Sequence, residues 1–89
     1  MTMSEEPPPI FPCDFPIKIF GRNAPDFRAA VLKIVRSHCR TLRDEDVRER
    51  ASRAGRYLSL TVTVRMRDRA QADTIYRELT ASDRVLMVL

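Results

Sequence analysis

From Tyr57 to Met66 the chain alternates without a break. Leu58, Leu60, Val62, Val64 and Met66 form one row, and Tyr57, Ser59, Thr61, Thr63 and Arg65 form the other. A period of two predicts a strand with one covered, apolar face and one open, at least partly polar face. A shorter alternation in FPIKIF sets Ile17 and Ile19 against Lys18 and Phe20, and predicts an earlier strand that Gly21 ends. Between these strands the period lengthens. Phe27, Ala30, Val31, Ile34 and Val35 recur every three or four positions, which predicts a helix through about His38 with Arg28, Lys33 and Arg36 on its wet side. Asn23 is placed to cap it, Pro25 suits a first turn, and Asp26 favours the positive helix start.

The same reasoning extends to the rest of the chain. Asp68 followed by Gln71 is a capping-box variant, opening a second helix with a stripe of Ala72, Ile75, Tyr76 and Leu79 that ends near Thr80. A weaker strand is expected from Val47 to Ala51, where Glu49 interrupts the inward row. The turn SRAGR follows it, with Gly55 free to take positive φ. The closing run VLMVL is too short for a helix and is read as a last strand.

Strand, helix, strand, strand, helix, strand is the split βαβ order. It predicts an α+β fold: a ferredoxin-like βαββαβ sandwich, with a four-stranded antiparallel sheet and two helices on one face. The strands of Ile17 and Val62 are expected at the centre and those of Val47 and Met87 at the edges. Residues 15–89 would form this single domain. Residues 1–14, with Pro7, Pro8, Pro9 and Pro12, would form a flexible extended arm.

Composition narrows the function. With 89 residues, 44% hydrophobic and 31% charged, the chain has the make-up of one small soluble globular unit. It has a single histidine, His38, and little material to line a deep cleft, so an enzyme is not expected. The net charge is +4, and fourteen of its sixteen cations are arginines. Ten of these lie between Arg36 and Arg69 against five acidic residues, a surplus that attracts anions without choosing among them. Cys13 and Cys39 are too few and too far apart for a disulfide framework, which suggests a cytoplasmic address. With His38 they lack the spacing of a metal site, so neither metal nor cofactor is expected, and no apolar run suggests a membrane segment.

Three stretches, FPCDFPIKIFG at 11–21, SRAGRYLSLTVTV at 52–64 and VLMVL at 85–89, resemble the YbeD-like family of small bacterial proteins. The resemblance implies a domain with the fold of ACT-type regulatory modules. It also implies a regulatory role in the neighbourhood of lipoate-attachment enzymes. ACT-type domains bind small ligands at the loop after the first strand, where a glycine allows close approach and a helix start offers free N–H groups. Gly21, Arg22, Asn23 and Asp26 occupy that place, without the usual Asp-x-Pro-Gly loop, and are the candidate site for a small anionic ligand.

The open sheet face offers the competing surface: Lys18, Phe20, Tyr57, Ser59, Thr61, Thr63, Arg65 and, from the last strand, Val88. An RNA-binding module would stack bases on this face, but the third strand offers Ser59, Thr61 and Thr63 where that mode needs aromatics, so specific nucleic-acid binding is the alternative rather than the leading reading. Arg22 could cradle a phosphate in an acylphosphatase-like enzyme, but no acid–base pair accompanies it. The last strand, apolar on both faces and with no lysine, proline or bulge after Arg84, predicts pairing with a second copy or another protein.

Overall fold

The computed structural model describes residues 10–89, and the part of the expected arm from 1 to 9 lies outside them. The elements are β1 (Cys13–Arg22), α1 (Phe27–His38), a 3₁₀ turn (Asp44–Asp46), β2 (Val47–Ala51), β3 (Tyr57–Met66), α2 (Arg69–Ala81) and β4 (Val85–Val88). They build one antiparallel sheet in the order β2-β3-β1-β4. This is the ferredoxin-like arrangement, with β1 and β3 central.

The longest ladder joins β1 to β3, in register from Cys13 opposite Met66 to Arg22 opposite Tyr57. Direct cross-strand partners share a face, so Ile17 and Ile19 stand beside Val62 and Leu60 under the helices, and all four are fully buried. Phe27, Val31 and Val35 from α1 and Ile75 and Leu79 from α2 close the core from above. Each such aliphatic side chain contributes about 1.5–3 kcal/mol by leaving water.

Two local expectations are corrected. The domain starts earlier than residue 15: Cys13 and Asp14 already pair with Met66 and Arg65, and Phe11 packs against the core. Pro16 does not interrupt β1. Lys18 exchanges both backbone bonds with Leu89, so two residues earlier the donor that Pro16 lacks faces the side that β4 does not reach. Gly21 does not end β1 either, because the ladder continues to Arg22. In β2, Glu49 does stand in the inward row, opposite Leu60, and its carboxylate meets Arg28 of α1 at 3.1 Å.

Candidate functional site

The loop between β1 and α1 is held by its neighbours. Gly21 is buried, and a Cβ there would run into the Phe27 ring and lie 2.6 Å from the Arg84 carbonyl oxygen. Phe27 thus fills the space through which a ligand would approach the glycine. Asn23 does not cap α1. Its Nδ2 donates to the Gly55 carbonyl at 3.0 Å and its backbone N–H to the Arg56 carbonyl at 2.8 Å, latching the loop to the β2–β3 turn. Gly55 has φ +76, which frees that turn to present its carbonyl. Asp26 takes the N-cap position without a side-chain capping bond, and its carboxylate pairs with Arg84 at 2.6 Å. Of the four residues only Arg22 faces a cleft, one of about 170 Å³ shared with Leu86 and Arg84.

On the open face the ladder sets Lys18 opposite Thr61, Phe20 opposite Ser59 and Asp14 opposite Arg65. On the far side of β3, Arg48 stands opposite Thr61 and Arg50 opposite Ser59. The centre of the face is therefore Ser59, Thr61 and Thr63, half-buried and flat, with Arg65 at one end paired to Asp14 at 3.5 Å and Tyr57 exposed at the other. The Lys18 ammonium lies 6.0 Å from the centre of the Phe20 ring, at the limit of a cation–π contact.

Val88 is not on this face. It pairs with Ile19, whose side chain is in the core, and packs against the helix side. A shift of register between Phe20 and Gly21 leaves Met87 opposite Phe20 and Val85 opposite Gly21, so Leu86 is the extra residue of a bulge, contrary to expectation. With both rows of the strand apolar, alternation gives no phase, and the bulge resets it. The side chains that β4 and the residue after it bring to the open face are Met87 and Leu89, beside Phe20 and Lys18. The sequence left open which of the two apolar rows would lie there, and the candidate it named, Val88, belongs to the other row.

Cys39 is buried, with its sulfur 3.6 Å from the Thr41 hydroxyl, and Cys13 is half-buried at the start of β1. Among the described residues no three His, Cys, Asp or Glu side chains converge on a common point, and no helix is long and apolar enough to cross a membrane.

Comparison with known proteins agrees with the fold. The solution structure of protein HP0495 from H. pylori superposes with a TM-score of 0.73 at 15% identity, covering 97% of this chain and 90% of that one. A UPF0250 protein of Paraburkholderia phytofirmans is 46% identical over 79 residues, 89% of each chain. A UPF0250 protein of Nitrosomonas europaea is 41% identical over 87 residues, 98% of this chain and all of the relative. A family model described as a protein of unknown function (DUF493) matches residues 7–89. On a match of that extent, the chain belongs to the DUF493, or UPF0250, family, to which the YbeD-like proteins it resembles also belong.

Proposed function

We propose that this chain is a non-enzymatic regulatory domain, ACT-like in its mode of action, that works in the cytoplasm by pairing the free edge of β4 with β4 of a second copy. The observation that carries this reading is the exposure of one strand and its end. Leu86 is 57% exposed, Met87 49% and Leu89 62%, three of the five exposed large apolar side chains among the described residues.

The backbone supports it. Leu89 exchanges both of its bonds with Lys18, so by antiparallel alternation the N–H and C=O of Val88 point away from β1, toward the open edge. About a two-fold axis at Val88, each Val88 would exchange bonds with Val88 of the second copy. Met87 would then face Leu89 of that copy on the open side, and the bulge at Leu86 would fall outside the paired segment. None of its side chains is charged. The target that the YbeD-like resemblance implies is an enzyme of lipoate metabolism. The competing RNA reading draws support from Arg48, Arg50 and Arg65 on the open face, but the middle of that face is Ser59, Thr61 and Thr63, which offer no stacking surface.

Sedimentation velocity over rising concentration tests the pairing. A dimer that forms with concentration and is abolished by Met87→Glu supports it. A chain that stays monomeric throughout, or a dimer that Met87→Glu leaves intact, overturns it.

A further inference from the structure

Where α1 ends and β3 runs on toward α2, the chain leaves a half-open cleft of about 460 Å³. Three guanidinium-bearing residues line it, Arg40, Arg65 and Arg67, together with Ser37, Thr41 and Gln71, and no carboxylate does. We propose that this cleft binds a phosphorylated polar small molecule, with its phosphate held by Arg40 and Arg67 and reached by Arg65. The proposal is independent of strand pairing, since β4 contributes nothing to the cleft.

Charge is the first reason. Some arginines of this surface are matched, Arg28 with Glu49 at 3.1 Å, Arg36 with Asp44 at 2.9 Å and Arg84 with Asp26 at 2.6 Å, and what sets the cleft apart is that it gathers three arginines with no carboxylate in its lining. Arg40 and Arg67 have no ion pair among the described residues. Arg65 meets Asp14 at 3.5 Å, but both side chains are more than half exposed. Such a pair is held by about 0–1 kcal/mol and yields to a dianion that can be gripped by several guanidinium donors.

The end of a helix normally repels an anion, because its last carbonyls are free. Here two of the last four, those of Val35 and His38, are occupied. The Ser37 hydroxyl donates to the Ile34 carbonyl at 2.6 Å, the Cys39 N–H to the Val35 carbonyl at 2.9 Å, and Gln71 Nε2 to the His38 carbonyl at 2.7 Å. Gln71 Nε2 keeps a second hydrogen, and Thr41 brings a hydroxyl. Gln71 and Cys39 are 7% and 6% exposed, so the floor is fixed by packing. The volume falls in the range of small-molecule sites, about 300–1,000 Å³, and exceeds what a bare phosphate fills. The lining is mixed, and the Ser37 and Thr41 hydroxyls and the Gln71 amide within it suit a body that carries hydroxyls, such as a sugar.

The test is a titration of the ¹⁵N-labelled full chain with ribose 5-phosphate at physiological salt, with ribose as the control. The expected result is saturable shifts of the Arg40, Thr41, Arg67 and Gln71 amides with ribose 5-phosphate and none with ribose. Arg40→Gln and Arg67→Gln should each weaken binding about tenfold, the loss of one charged hydrogen-bonding partner, at an unchanged Tm. Arg48→Gln, an equal change of charge outside the cleft, should leave the affinity as it was. Absence of saturation at millimolar ligand, equal shifts with ribose, or equal weakening by Arg48→Gln would overturn the proposal. So would a short RNA oligonucleotide that shifts these amides when ribose 5-phosphate does not.

Discussion

The Gln71 side-chain amide donates to the His38 carbonyl oxygen at 2.7 Å, tying the end of α1 to the first turn of α2 across 33 positions of sequence. The same side chain accepts from the Arg67 backbone N–H at 2.6 Å, while its own backbone N–H donates to Asp68 Oδ1 at 2.8 Å. One residue thus opens one helix and closes the other. Replacing it with Leu strands a carbonyl and an N–H in a part-buried place, and stability should fall by about 2–4 kcal/mol. Gln71→Glu keeps the acceptor for Arg67 but loses the donor to His38, and should fall between Leu and wild type. Urea denaturation with an unchanged m-value checks the order.

Gly21→Ala probes the junction of β1, α1 and β4. The new methyl would meet the Phe27 ring and the Arg84 carbonyl together, and neither can withdraw without moving backbone or core. The expected loss is about 1–3 kcal/mol, the usual cost of overpacking, read as a lower Tm. A companion Phe27→Leu change, which vacates the ring, should make the alanine less harmful than it is alone. Additive losses in the double variant would show that the ring is not what Gly21 accommodates.

Burial lifts the Tyr76 phenol above its ordinary pKa of 10.0. The unfolded chain ionises at the ordinary value while the folded chain still holds its proton, so above that pH the unfolded state binds fewer protons and stability declines as pH rises. The contribution is complete below the unfolded value and disappears through the folded one. Tyr76→Phe removes this part of the slope. Denaturation from about pH 8 to about pH 11 should show the variant losing less stability than wild type at the alkaline end, and parallel curves would refute the assignment.

Legibility in the sequence followed how many physical constraints acted on each segment. The ten positions of β3 alternate because one face meets the core and the other does not, and the structure buries that row as written. Proline misled at the start of β1. Pro12 put Cys13 and Asp14 in the arm, yet both pair with β3, and a central strand tolerates Pro16 where its neighbour is too short to need the missing donor. Asn23 carries the chemistry of a helix cap, but a tertiary partner, the Gly55 carbonyl, took its amide. No local rule reports a contact over 32 positions.

The basic cleft shows the same limit. The surplus of arginine between Arg36 and Arg69 is plain in the sequence, and it was the available signal. That Arg40 joins Arg65 and Arg67 depends on where α1 stops against the start of α2, a tertiary fact set by Gln71. Within β2 the charged residues blurred the strand, although Glu49 proved to have a partner in Arg28.

That inward glutamate has a consequence for assembly. With Arg48 and Arg50 on one face of β2 and the half-exposed Glu49–Arg28 pair on the other, a second β2 that tried to add there would set like charges side by side and strip that carboxylate of water. The sheet can therefore lengthen in one direction only. Two copies joined through β4 as proposed would consume both growing ends, and the product would be a closed pair with charged rims. Substituting Val for Arg48, Glu49 and Arg50 would remove the stop, and the pair would become the repeating unit of a filament.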